Sequence, residues 1–129
     1  MISKNEPALA ATLDALAEQL EDVVPRLVEW GEILVVDASS GALGAIRAAR
    51  PDVRWVDFVP PSGARVTIPH QRNRGVAEAR GDIIVFTDCG CVPAEAWLGR
   101  LLDPILEAGE RITCGRTGAS GAVDPYRAV

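Results

Sequence analysis

The strongest constraint on this chain is a repeated local pattern: a short apolar run that closes on an acid. Glu32-Ile33-Leu34-Val35-Val36-Asp37, Val53-Arg54-Trp55-Val56-Asp57-Phe58 and Asp82-Ile83-Ile84-Val85-Phe86-Thr87-Asp88 all carry it, or nearly so. A run that is apolar at almost every position marks a strand buried on both faces, as in parallel sheets. Parallel strands need crossover connections, and the intervening segments have helical patterns. In residues 8–22, Leu9, Leu13, Leu16 and Leu20 recur at helical spacing, Pro7 suits the first turn, and Asn5 or Glu6 is placed to cap it. Residues 42–50 predict a short helix stopped by Pro51, and residues 70–80 one that ends at Gly81. Residues 94–108 predict another helix, carrying Trp97, Leu98, Leu101, Leu102, Ile105 and Leu106, and Ile112-Thr113-Cys114 opens a fourth strand. The alternation predicts an α/β fold with a mostly parallel sheet.

Composition narrows the function. A chain of 129 residues with 48% apolar content can bury a core without disulfide or metal staples. Thirteen basic against eighteen acidic residues leave a charge of −5, which argues against a nucleic-acid partner. There is no apolar run near the roughly 20 residues of a membrane helix, and no signal-peptide core at the N-terminus. Three cysteines make an odd number, so a disulfide framework is not expected and a cytoplasmic location is. The charge is uneven: Arg65, Arg72, Arg74, Arg80 and His70 crowd residues 65–80 against the single acid Glu78. Such a stretch fits a small anionic ligand such as a phosphate, or else a solvated helix face.

In open parallel sheets, ligands bind at the carboxyl ends of the strands. Asp37 and Asp88 fall at that edge. An acid that ends a buried strand either ties down a turn, caps the next helix or meets a ligand.

Three segments together resemble the family 2 glycosyltransferases. Glu32-Ile-Leu-Val-Val-Asp37-Ala-Ser-Ser40 resembles the family's strand that ends in acid-acid-Gly-Ser. Arg72-Asn73-Arg74-Gly75-Val-Ala-Glu-Ala-Arg80-Gly81-Asp82 resembles its A-R-N-x-G helix and the A-x-G-[DE] step into the next strand. Ile83-Ile-Val-Phe86-Thr87-Asp88-Cys-Gly90-Cys91-Val92-Pro93, with Trp97-Leu98, resembles its F-x-D-x-D-C-x-P-x-x-W-L block. Ile2-Ser3-Lys4-Asn5-Glu6-Pro7 resembles the end of its first strand and the polar turn after it, so that the chain would start inside that strand.

The resemblance implies a Rossmann-like GT-A nucleotide-diphospho-sugar transferase fold, a three-layer sandwich in truncated form. Residues 1–115 would be an incomplete nucleotide-sugar-binding region, and 116–129 a Gly-rich, poorly packed tail. The implied activity is sugar transfer, of hexosyltransferase type, from a nucleoside-diphosphate sugar to an unknown acceptor. Asp37 and Arg72 would contact the nucleoside or diphosphate, and Asp88 the ribose or a divalent metal such as Mn²⁺ or Mg²⁺. Ser3, Asn5 and Glu6 would line the nucleoside pocket. The chain departs from the family pattern at Ala38, where a second acid is usual, and at Gly90, where the metal motif has its second acid. The latter leaves metal dependence open. The implied acceptor half and its catalytic base do not map onto this chain. Asp103, Glu107 and Glu110 fit a solvated helix face, and His70 a surface or capping position. Cys91 is expected as a packing residue and Cys114 as a core residue.

Two other readings compete. Ser39-Ser40-Gly41-Ala42-Leu43-Gly44 followed by Asp57 imitates a dinucleotide-binding fingerprint, although Ser39 replaces the first glycine and Asp37 would repel a pyrophosphate. The chain could also be a non-catalytic nucleotide-sugar-binding module, a remnant, or one piece of a protein whose partner supplies the rest. A homo-oligomer is a further possibility, since an unpaired apolar face favours association.

Overall fold

The computed structural model of the chain describes residues 1–3, 6–27 and 30–118. Its centre is a parallel sheet in the order β1 (Ile2–Ser3), β2 (Leu34–Asp37), β3 (Arg54–Asp57). Ile2 pairs with Val36 and Ser3 with Asp37, while Asp37 also stands beside Asp57. Alternating side chains send Val35 to one face and Val36 to the other, and both are buried. That is why the run is apolar without alternation.

Among the described residues, four α-helices accompany the sheet: α1 (Leu9–Val23), α2 (Gly44–Ala49), α3 (Ile68–Glu78) and α4 (Trp97–Ala108). The leucine stripe of α1 meets Val35 in a core with Leu43 and Val53, where Leu9, Leu13 and Val35 are all 0% exposed. On the Val36 side lies α3. A Cβ on Gly75 would stand 3.5 Å from Val36 Cγ2, so the bare backbone lets the helix come close. Gln71 Nε2 donates to Val36 O at 3.1 Å and fixes the helix against the strand. The start of α3 is set by Thr67, whose hydroxyl accepts from His70 N–H, with Pro69 in the first turn. A second cluster joins Val23 of α1 to Leu98 and Leu102 of α4.

Several expectations are corrected. Residues 82–88 do not form the strand expected of them. One parallel bridge, Ile2 to Asp88, stands in place of a ladder, and Ile83, Ile84 and Phe86 are 37%, 39% and 47% exposed. A strand buried on both faces needs a neighbour along its whole edge, and β1 offers two residues. The fourth strand is likewise not formed: residues 112–118 have no regular structure, and Ile112 is exposed. Cys91 and Cys114 are exposed rather than packed. Cys89 is instead the partly packed cysteine, set against the Leu9 core, with its thiol donating to Ile2 O. Of the expected tail, residues 119–129 lie outside the described residues.

Candidate functional site

The carboxyl edge of the sheet gathers the predicted acids. Asp37 closes β2 as a buried side chain. Its Oδ1 accepts from Ser39 N–H at 3.0 Å and its Oδ2 from Ser39 Oγ–H at 2.6 Å. This turn meets the cost of burying a carboxylate, so Asp37 has a structural task at the place where a ligand task was expected. Ser3 stands beside Asp37 in the β1–β2 register. Asn5 lies outside the described residues.

Asp88 stands on the far side of β1, bridged to Ile2. From α3, Arg72 Nη2 reaches its Oδ1 at 3.0 Å, and the guanidinium lies 5.8 Å from the Phe86 ring centre. The ring face and the carboxylate together hold the arginine at the strand edge. Both members of the pair are about half exposed, so the pair is open to ligand and weak as a stabiliser.

Glu6 is committed to the start of α1. Its Oε1 accepts from Ala8 N–H at 3.1 Å and its backbone oxygen from Leu9 N–H at 3.1 Å. The same side chain borders Gly90, where an added Cβ would come within 3.7 Å of Glu6 Cδ. Gly90 has φ +82°, and its N–H donates to Thr12 Oγ1 at 3.1 Å. The missing second acid thus falls at a left-handed backbone position that favours glycine.

Sequence reasoning passed over Thr12 and Phe86. Thr12 is fully buried, accepts from Gly90 and donates to Ala8 O, and so ties the loop after Asp88 to α1. Its signal was a polar residue inside the leucine stripe. Phe86 stood in the sequence only as part of the F-x-D block, and its contact with Arg72 could not be read there because the arginine arrives from another element.

Charge at this edge also involves the chain start. Burial pushes the Met1 α-amino group below its ordinary value, while Cys89 and Asp88 pull the other way. A metal is a separate matter. Among the described residues no three His, Cys, Asp or Glu side chains converge as a metal site. Asp88 is the one carboxylate of the metal motif, one of its oxygens faces Arg72, and Gly90 offers only backbone. Hard divalent cations take about six oxygen ligands, and these residues do not make such a site by themselves.

The glycine loop at 39–44 is built differently from a pyrophosphate cradle. Asp37's carboxylate is bound into it through Ser39, and α2 behind it has six residues. Asp57 is taken up by Arg47 at 2.7 Å. At the opposite edge of the sheet, Arg54 binds Glu32 at 2.8 and 3.0 Å and also meets Glu78. The Arg54 bridge holds Glu32 below the usual carboxylate range. This cluster joins the approach to β2 with the end of α3, away from the acids at the strand ends.

His70 is exposed on the first turn of α3. Asp103 and Glu107 lie on the outer side of α4, paired with Arg26 at 2.7 and 3.3 Å. None of the three reaches the strand-end acids through a hydrogen bond or ion pair found among the described residues.

The family model of glycosyl transferase family 2 matches residues 1–127. No curated protein and no solved structure matches the chain.

Proposed function

The chain belongs to glycosyl transferase family 2, and we propose that its strand-end edge binds the nucleoside diphosphate of a sugar donor. The observation that carries this reading is the Arg72–Asp88 pair, open to solvent at the carboxyl edge of a parallel sheet and next to the strand that Asp37 borders. A guanidinium matches phosphate oxygens in shape and charge. Arg72 would leave Asp88 for the diphosphate, and Asp88, once released, would accept from a ribose hydroxyl. Asp37, already oriented by Ser39, would lie near the nucleoside, with Ser3, Asn5 and Glu6 along the pocket rim. When the sugar departs, charge grows on the diphosphate oxygens, and a fixed arginine stabilises it.

The transfer itself also needs a base for the acceptor hydroxyl. We assign none to residues 1–118. On this reading the chain is the donor-binding part of a GT-A-like three-layer fold, with the acceptor part supplied by further sequence or by a partner. Asp88 is the side chain that would hold a divalent cation there, and the cation would stabilise charge on the departing diphosphate. A second reading, a nucleotide-sugar-binding module without turnover, is favoured by one observation: Gly90 contributes no carboxylate beside Asp88.

Calorimetric titration with UDP, GDP and NAD, each with and without Mn²⁺, tests both readings. A nucleoside diphosphate is expected to bind and NAD to stay silent. Asp88→Ala and Arg72→Ala should each weaken that binding at least about tenfold, the worth of one charge-assisted hydrogen bond. The fold should survive, because the pair is exposed. Unchanged affinity in both variants would sink the site. Binding that ignores Mn²⁺ would favour the module without turnover.

A further inference from the structure

Arg72 is held by two groups of different kinds. Its Nη2 donates to Asp88 Oδ1 at 3.0 Å, and its guanidinium carbon lies over the Phe86 ring, 5.8 Å from the ring centre. That falls inside the roughly 6 Å reach of a cation–π contact. Phe86 and Asp88 stand two residues apart and both meet α3 through this arginine. Val85, between Phe86 and Ile84, packs instead with Val23, Leu98 and Leu102. Phe86 is 47% exposed and belongs to neither buried cluster, so core packing does not account for it.

A phosphate acts differently on the two anchors. It competes with Asp88, because both are anions that accept from the same N–H groups. It does not compete with the ring, whose attraction is to the charge and needs none of those donors. An arginine that leaves Asp88 with no second anchor is a long side chain loose in solvent, and few of its rotamers keep the guanidinium at the strand edge. The ring raises that fraction. The apparent affinity for a ligand rises in proportion to the population able to bind it.

We propose that Phe86 is a positioning residue for the diphosphate: its ring keeps the Arg72 guanidinium at the strand edge while the arginine passes from Asp88 to the phosphate oxygens. This rests on the donor-binding reading given above and adds to it a group that acts through Arg72. Phe86 itself touches neither the nucleoside nor the phosphates.

The test changes the electrons of the ring and leaves its shape nearly as it is. Phe86 is replaced in turn by mono-, di- and trifluorophenylalanine, each fluorine drawing charge from the ring face. Each protein is titrated by calorimetry with UDP and with GDP. Affinity for the diphosphate that binds the parent should fall stepwise, by about two- to fivefold at the trifluoro ring, the worth of an exposed cation–π contact. In an Arg72→Ala background the same series should be flat, a coupling that a merely structural role of the ring would not produce. Phe86→Tyr keeps an aromatic face and should bind as the parent does. Equal affinity along the series in the parent background would overturn the inference and leave the donor site standing. A fall of the same size in the Arg72→Ala background would also overturn it, because the ring would then act without the arginine. A parent chain that binds neither diphosphate would overturn the donor-binding reading, and this inference with it.

Discussion

Val35 and Ile84 sit in two runs of almost the same composition, yet the first is fully buried and the second is 39% exposed. The difference is not in side-chain chemistry. Val35 lies on a strand paired on its β3 edge through all four residues and covered by α1. Ile84 has neighbouring helices, but among the described residues no adjacent strand pairs with it. An apolar run becomes a strand only where a second backbone meets its N–H and C=O groups. The chain thus has a half around β2 and β3 whose strands are paired, and a half from residue 79 onward that packs through α4 but, among the described residues, leaves residues 83–86 without a strand partner.

The widest gap between the halves should appear on truncation to alanine. Leu13 is 0% exposed in the α1–β2 core, so Leu13→Ala should cost about 2–5 kcal/mol. Ile112 is 85% exposed beyond α4, so Ile112→Ala should stay within about 0.5 kcal/mol. Chemical denaturation of both variants checks this. Equal losses would mean that residues 112–118 are packed in solution and that the contrast is false.

The same contrast explains what the sequence made legible. The helices α1 and α4 were readable because leucine spacing is a local signal, whereas α3 was expected at 70–80 and runs Ile68–Glu78, behind a Thr67 cap that the sequence reading did not use. The strands β2 and β3 were readable because their partners exist. The run 82–88 carried the same local signal, but its outcome depended on an edge that the run itself does not encode. At the site, the position of Asp37 and Asp88 at strand ends could be read, whereas the Arg72–Phe86 contact could not, since it joins α3 to another segment. The engagement of Asp37 by Ser39 was within reach, because Asp and Ser two apart commonly close such a turn. Cys91 was expected to pack because the resemblance places a cysteine there, and Cys114 because cysteine is commonly buried; both are exposed, in segments outside the regular elements.

A smaller effect is expected from the glycines. Gly90 holds φ +82° next to the Glu6 side chain, so Gly90→Asp should cost about 1–2 kcal/mol through backbone strain, with repulsion from Glu6 added. Gly44 opens α2 with ordinary φ and nothing within 4 Å of an added Cβ. Gly44→Ala should therefore be neutral or stabilise by up to about 1 kcal/mol. Thermal melts of the pair would show it. A melting point for Gly90→Asp at or above that of the parent would remove the backbone reason for the missing second acid.

The smallest effect is one of pH, and it separates the ion pairs of the two halves. Glu32 is held below its ordinary value of 4.5, first by its hydrogen bond to Arg54 and against the opposing effect of burial. A carboxylate with a depressed folded pKa adds stability that is present above its unfolded value. That stability is lost as pH falls through the folded value. Glu32→Gln should then lower stability by about 1 kcal/mol at pH 7. The gap to the parent should close as pH is taken below 4.5, down through the folded value of Glu32. Arg54 keeps Glu78 as a partner in the variant, which limits the loss. The corresponding change in the other half, Asp103→Asn, removes a pair with Arg26 in which both side chains are over a third exposed. It should not show the loss at pH 7. Denaturation midpoints of the three proteins from pH 7 down to pH 3 decide the matter. A gap for Glu32→Gln that stays constant across that range would mean that Arg54 is held by something other than the charge of Glu32.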